Sequence, residues 1–408
     1  MGWSSGGPPD APGHAPSRPR LAVTAAIGTG QILAWGSSYY LPAVLAEPVA
    51  RATGWPEIWI IGALSLGLLL SGLVSPLVGQ AIERYGGRPV LAASAILLAA
   101  GHLLLAAAPN FAVFAAAWLL LGLGMGAGLY DPAFATLGRL YGAQARSAIT
   151  QVTLFGGFAS TICWPLSALL VEQFGWRGTS LAYAAIDLAI VLPLYWFGVP
   201  REVARGAPAN AAARDAPPHR AAKNRPALIL LGAGFTVASV IMTILSVNIL
   251  TLLQARGLTL AAAVAVGALI GPAQVGARLL EAMFGRRHHP LWSLLASAVL
   301  VAGGLALLLG PSTLIGAGFV LYGAGSGIRS IARGTVPLAL FGAEGYATLL
   351  GWIALPILVA TAISPLIGAI LVQRLGAEPT IILLVGAAVV NVALVLPLLK
   401  LARRTPAD

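Results

Sequence analysis

Charge is scarce in this chain. Only 9% of its 408 residues are Asp, Glu, Lys or Arg, against roughly 25% in ordinary globular domains, so most of its surface cannot face water. With 58% hydrophobic residues and a mean hydropathy of +0.87, the solvent is lipid. Cysteine is also nearly absent: Cys163 stands alone, which excludes an internal disulfide and any cysteine metal cluster. Histidine gives no ligand spacing either, since His14, His219, His288 and His289 fall in tails or loops and His102 is isolated. No metal or cofactor is therefore expected. There is no Gly-x-x-x-x-Gly-Lys-Ser/Thr run, so ATP hydrolysis within the chain is not expected. An intramembrane enzyme finds no Gly-x-Ser-x-Gly elbow or suitably placed acid pair. Residues 1–20, rich in Pro, Gly and Ser, lack the apolar core and cleavage site of a secretory signal, and read as a disordered tail.

What is present is a series of twelve apolar runs, at about 21–46, 57–79, 90–108, 112–138, 147–171, 178–198, 226–252, 260–283, 290–309, 313–337, 347–373 and 378–400. Each is long enough for roughly 30 Å of hydrocarbon. An even number puts both termini on one side. Seventeen Lys and Arg residues lie in loops on that side, against Arg51, Arg177, Arg256 and Arg374 opposite. This asymmetry predicts cytoplasmic termini, and the expected location is a cell membrane, of the bacterial inner-membrane kind. It also accounts for the formal charge of +11, which in a soluble protein would suggest nucleic acid; no nucleic-acid partner is expected.

The segment 201–225, rich in Ala, Pro and Arg, divides two groups of six spans, 21–200 and 226–402, with a short tail at 403–408. The halves repeat. Ile186-Asp187-Leu188-Ala189-Ile190-Val191-Leu192-Pro193-Leu194 matches Val390-Asn391-Val392-Ala393-Leu394-Val395-Leu396-Pro397-Leu398, and Gly124, Gly126 and Gly128 answer Gly323, Gly325 and Gly327. The expected fold is all-α, with twelve transmembrane helices in two six-helix bundles related by internal repeat.

Between the second and third runs stands Gly79-Gln80-Ala81-Ile82-Glu83-Arg84-Tyr85-Gly86-Gly87-Arg88. It resembles the Gly-x-x-x-Asp-Arg/Lys-x-Gly-Arg/Lys-Arg/Lys signature of the major facilitator superfamily, with Glu83 for Asp and Gly87 for the first basic residue of the final pair. Gly79 lets two helices approach, Gly86 permits a tight turn, and Glu83 is suited to a helix N-terminus or an arginine across the bundle. The resemblance implies that Gly79, Glu83, Arg84, Gly86 and Arg88 latch the cytoplasmic gate. It also implies that spans one, four, seven and ten line a central cavity. Marks of the superfamily's proton-driven drug exporters are missing, since Trp118 stands ahead of Gly122 and Trp164-Pro165-Leu166 occupies the helix-five position. A second similarity is to the monocarboxylate and oxalate/formate branch: Tyr141, Arg146 and Gly156 keep its helix-five spacing, and Gln274 precedes Arg278 where the branch places an acid one turn before a substrate-binding arginine.

A charge at mid-bilayer costs about 2.5 to 3.5 kcal/mol on insertion scales, so buried ionisable residues point to a wet cavity or a partner. Arg329 and Arg278 lie deep, whereas Arg333 and Glu281 are near enough to the interface to snorkel. Asp131, next to Tyr130, is expected either to pair with Arg329 across the halves or to bind the coupling proton. Three arginines against two acids favour an organic anion held by forked guanidinium donors. Gln31, Trp35 and Tyr39 share one face of span one and suit the uncharged part of a substrate. Thr236, Ser239, Thr243 and Ser246 read as helix packing, and Asp187 and His102 as internal hydrogen bonding.

The substrate contacts are thus expected at Arg278, Arg329, Tyr130, Gln274, Gln31, Trp35 and Tyr39, with Asp131 as proton site. The expected function is a secondary active transporter, acting as a monomer on a small anionic molecule by proton symport or exchange. The alternatives are an efflux pump for a hydrophobic or cationic compound and a receptor of the same fold that binds without transport.

Overall fold

A computed structural model describes residues 19–201 and 224–402. Most of the expected tail 1–20, most of the linker 201–225 and the tail 403–408 lie outside the described residues. Among the described residues nine continuous helical stretches are long and apolar enough to cross a membrane. One of them, Phe111–Gly198, has 88 residues and holds three passes, and the first pass is additional. The twelve expected spans are all helical.

The first span runs Arg20–Ser37 and resumes as Pro42–Thr53. Glu57–Tyr85 and Gly87–Ala107 form the second and third. The fourth is Phe111–Gly128 followed by Tyr130–Tyr141. The fifth and sixth follow without a loop: Ala145–Gly157, then Ala159–Ile186, a π turn at Asp187–Val191 and Leu192–Gly198. The chain reverses inside Ala159–Ile186 at Gly175, where φ is 66° and a side chain would be strained. In the second half the spans are Arg225–Ala255, Leu260–Gly267 with Ile270–Phe284, Pro290–Leu307, Ser312–Phe341, Tyr346–Leu375 and Ala377–Val395.

Proline sets two breaks in the cavity-lining spans. Pro132 has no N–H to give the Gly128 carbonyl one turn back, so the fourth span opens at Leu129 (φ −78°, ψ −158°). Pro42 likewise cannot serve Ser38, which takes the Leu41 N–H instead at 3.3 Å, and the first span opens between Ser37 and Pro42. Both openings lie beside aromatic residues of the central cavity.

Apolar side chains cover the outside. Leu77, Ile229, Met283 and Leu366 are each more than 60% exposed, an arrangement suited to acyl chains rather than water. Both ends of the described residues lie on one face, here called the terminal face: Arg20 donates to the Gln144 carbonyl at the fourth-to-fifth turn, and Leu291 packs with Leu398 and Leu399. On this face the halves are closed together. A core cluster of the first half, with Ile82, Phe134, Leu137 and Ile149, takes in Leu338, Tyr346, Ala347 and Leu350 of the second.

Candidate functional site

The signature loop sits at the terminal-face end of the contact between the second and eleventh spans. A Cβ on Gly79 would overlap the Ala347 carbonyl oxygen, and one on Gly351 would overlap that of Ser75. The two backbones touch because both positions are glycine. Ser75 donates to the Gly351 carbonyl at 2.8 Å. Glu83 meets both partners its charge suits. One carboxylate oxygen accepts from Ala347 N–H at 3.1 Å in the first turn of the eleventh span; the other accepts from Arg139 at 2.9 Å. Gly86 turns the chain at φ 85°. The departure at Gly87 has a steric cause, since any Cβ would overlap the Thr136 side chain of the fourth span. Arg88 lies over the Trp196 ring at 4.5 Å, and Arg84 over Tyr85 at 5.0 Å.

Further polar contacts close the same face. Arg146 donates to the carbonyls of Gly285 and His288 and approaches Glu281 at 3.6 Å, while Glu281 also accepts from Ser293 at 2.7 Å. Beside it, burial and the Arg146 charge lower the pKa of His289 below its ordinary value, and its Nδ1 accepts the Leu291 N–H at the start of the ninth span.

Above this seal a cavity lies between the halves, walled by spans one, two, four, seven, ten and eleven. Trp35, Tyr39, Tyr130, Asp131, Arg329 and Arg333 line it. The three aromatic rings form one cluster, with Trp35 centred 5.3 Å from Tyr39 and 5.0 Å from Tyr130. Tyr130 in turn stacks on Phe134 at 5.2 Å.

Asp131 does not pair with Arg329. Its two oxygens accept from Nε and Nη2 of Arg333 at 2.8 and 2.6 Å. The repeat register placed Asp131 level with Arg329, but register fixes depth alone; the azimuth of each span decides which turn faces across. The pair also removes the need for Arg333 to snorkel. Arg329 instead donates to Ser239 Oγ at 3.3 Å and Met242 Sδ at 2.8 Å. Among the described residues, neither Arg329 nor Arg278 has a carboxylate within ion-pair distance. Ser239 and Thr243, read from sequence as packing, also line the cavity.

Three expected contact residues lie behind the wall. Gln31 is fully buried, donating to the Gly128 carbonyl at 2.6 Å and to Tyr195 at 3.3 Å while accepting from Trp35 Nε1 at 3.2 Å. It supplies the hydrogen that Pro132 withholds from Gly128. Gln274 bonds Ser326 at 3.4 Å, between spans eight and ten. Arg278, 7% exposed, donates to Ser330 at 3.0 Å and across the halves to the Thr153 carbonyl at 3.3 Å, in space left by Gly157.

A further pair went unmatched in the sequence reading. His102 of span three and Asp187 of span six lie 3.3 Å apart with both side chains fully buried. The π turn beginning at Asp187 has no sequence signal, and 85 residues separate the partners.

Residues 27–355 match the Major Facilitator Superfamily model. Human monocarboxylate transporter 11 is 33% identical over 163 residues, covering 37% of this chain and 32% of that protein. Monocarboxylate transporter 13 of Bos taurus is 32% identical over 154 residues, covering 36% of this chain and 33% of that protein. The chain thus spans about a third of the length of these curated relatives. Among solved structures, the E. coli fucose:proton symporter superposes with a TM-score of 0.72 at 16% identity, over 95% of this chain and 99% of that one. The human organic anion transporter MFSD10 gives 0.71 at 18%, over 93% and 100%. With a twelve-span fold of two halves and the superfamily model matched over most of its length, this multi-pass membrane protein belongs to the major facilitator superfamily of transporters.

Proposed function

We propose that the chain moves a small organic anion of carboxylate type across the cytoplasmic membrane by alternating access, coupled to protons or to exchange. The observation that carries this reading is Arg329, a guanidinium on the cavity wall between the halves whose contacts in this structure are a hydroxyl and a thioether. Arginine presents donors in a fork that matches a carboxylate. Arg278, without a carboxylate partner among the described residues, adds positive potential from behind the wall. The aromatic cluster of Trp35, Tyr39 and Tyr130 suits an apolar body attached to the anionic group. Relatives named monocarboxylate transporters and a structural neighbour named an organic anion transporter support the same substrate class.

Asp131 is the proposed proton site. A proton arriving on its carboxylate makes it neutral and removes the charge that holds Arg333, so the bond joining the fourth and tenth spans weakens as the proton binds. Gly79, Glu83, Arg84, Gly86 and Arg88 act as the gate latch in this reading, and the charge bias of the loops makes the sealed terminal face cytoplasmic. The structure then corresponds to a state open away from the cytoplasm, with bundles 21–200 and 226–402 as the two moving bodies, in a monomer of a bacterial inner membrane.

Purified protein in proteoliposomes, loaded in turn with labelled monocarboxylates, neutral sugars and lipophilic cations, tests the reading. The expected result is accumulation of a carboxylate that responds to an imposed pH gradient or to anion loaded on the far side, and that falls at least about tenfold in Arg329→Ala, the loss of one charge-assisted contact. Undiminished uptake in that variant, or transport confined to cations, overturns it.

A further inference from the structure

Behind the first span, away from the cavity, the imidazole of His102 is caught among three oxygens. Its Nδ1 lies 2.8 Å from the Leu98 carbonyl and 3.3 Å from Asp187 Oδ2; its Nε2 lies 2.8 Å from the Ser37 carbonyl. A carbonyl oxygen only accepts, so each nitrogen satisfies its neighbour only by carrying hydrogen. The geometry is therefore that of an imidazolium. Asp187 supplies the opposite charge at ion-pair distance, and its buried oxygens have no hydrogen-bond partner among the described residues. The titratable groups beside the pair are Tyr183 and Tyr195 of span six, and Cys163 of span five lies against Tyr183; each is ordinarily neutral. Moving the proton to Asp187 would leave one nitrogen lone pair against a carbonyl. The pair thus holds a single proton in a dry pocket.

What that proton holds in place is the break in span one. Leu98 lies four residues before His102, so its carbonyl is already served by the third span's own ladder. The Ser37 carbonyl is not, because the Leu41 N–H that would reach it bonds Ser38 instead. His102 Nε2–H stands in for that missing partner, and on either side of Ser37 are Trp35 and Tyr39, which line the cavity. Asp187 itself begins the π turn, a widening in which Leu192 N–H reaches back five residues to the Asp187 carbonyl. Its repeat counterpart is Asn391, which cannot ionise.

We infer that His102 and Asp187 form a buried proton-binding site, distinct from Asp131, whose occupancy sets the break in the first span and so the position of Trp35 and Tyr39 in the cavity. With the Asp187 carboxylate beside Nδ1, the one hydrogen a neutral ring keeps stays on Nδ1, so loss of the proton turns an Nε2 lone pair toward the Ser37 carbonyl and releases the break. Gain of the proton restores the N–H and fixes it again. The inference does not depend on what the cavity carries, and it is tested without substrate.

The full chain in nanodiscs, labelled with 15N-histidine, is expected to give one slowly exchanging, doubly protonated imidazole that is absent in His102→Gln. Asp187→Asn, close in shape but uncharged, is expected to return that ring to a neutral tautomer. Hydrogen exchange of the segment around residues 37–41, followed with pH and normalised to an exposed loop of the same sample, is expected to rise in the wild type once the site loses its proton. Glutamine at position 102 keeps an N–H for Ser37 and cannot titrate, so this rise disappears in His102→Gln. A single neutral tautomer in the resting wild type, or the same pH profile in wild type and His102→Gln, overturns the inference. Should His102→Gln fail to fold, Asp187→Asn decides alone: an unchanged imidazolium refutes it.

Discussion

Asp131→Asn removes one charge from the bond between the fourth and tenth spans with little change of shape. In the wild type the carboxylate takes two hydrogens from Arg333, at 2.8 and 2.6 Å, with the two side chains only 14% and 18% exposed. Asparagine can still accept one of them through its oxygen, but its amide nitrogen then faces a guanidinium donor. Breaking a fully buried pair costs about 3 to 5 kcal/mol, and the retained bond and the cavity water reduce this to roughly 2 to 3, near the worth of one charge-assisted bond. Arg329, one turn away on the same helix, adds a like charge that nothing then offsets. Because the bond joins the two halves, the loss falls on the state sealed at the terminal face and not on the state in which they part. The population ratio should move toward the opened form by roughly 30- to 150-fold, at 1.4 kcal/mol per tenfold. Cysteines introduced at exposed positions beside the seal, labelled in inside-out vesicles, report that ratio. Labelling should rise in Asp131→Asn and fall back in the double variant with Arg333→Gln, where no unpaired charge remains. Equal labelling in all three proteins would show that this bond does not hold the state, and the proton role assigned to Asp131 would lose its physical basis.

Gly79→Ala forces a methyl against the Ala347 carbonyl oxygen, so the second and eleventh spans must part; overpacking of this kind costs about 1 to 3 kcal/mol, seen as a lower melting temperature and as increased labelling at the seal, while the same change at the open position Gly276 should do neither. Glu83→Gln keeps an acceptor for Ala347 N–H but discharges the contact with Arg139, and a loss of roughly 1 to 3 kcal/mol should appear as faster hydrogen exchange in the first turn of the eleventh span. His289 is held below its ordinary pKa by burial and Arg146, so its contribution is complete above pH 6.5 and is lost as pH falls toward the lowered value, when protonation also ends its acceptance of Leu291 N–H. His289→Asn retains a capping acceptor and should flatten that acid limb of the melting curve.

The spans were legible because hydrophobic runs of fixed length and the sign bias of the loops are one-dimensional signals. For Glu83 the sequence suggested a kind of partner, a helix N-terminus or an arginine, and the structure has one of each, Ala347 N–H and Arg139, neither of which the sequence identified. Cross-half pairing was not legible. Which of Arg329 and Arg333 faces Asp131 depends on how far each bundle rotates about its long axis, and no local pattern encodes that angle. Gln31 shows a second limit. Its spacing with Trp35 and Tyr39 places it on the cavity face of an ideal helix, yet its amide is drawn behind the wall by a carbonyl that Pro132 leaves unserved. In the hydroxyl stripe of span seven, Ser239 and Thr243 depart from the packing reading: both line the cavity, and Ser239 accepts from Arg329.

Prolines were visible in the sequence, but the side chains that answer them were not, and the comparison of the two breaks is instructive. Pro132 and Pro42 each open a cavity-lining span and each leaves a carbonyl short of a donor. At Gly128 the replacement comes from Gln31, an amide whose hydrogens are permanent at any physiological pH. At Ser37 it comes from His102, whose Nε2–H exists only while the ring is suitably protonated, with a buried carboxylate set beside it. A glutamine would have served the second break as well as the first, and without the expense of burying an ion pair, which gains little stability over neutral side chains of similar size. A break held by a removable proton differs from one held by an amide in a single physical respect, that it can be let go. On the inference drawn above, the break in the first span answers to a proton on His102, whereas the break in the fourth span, held by the amide of Gln31, does not.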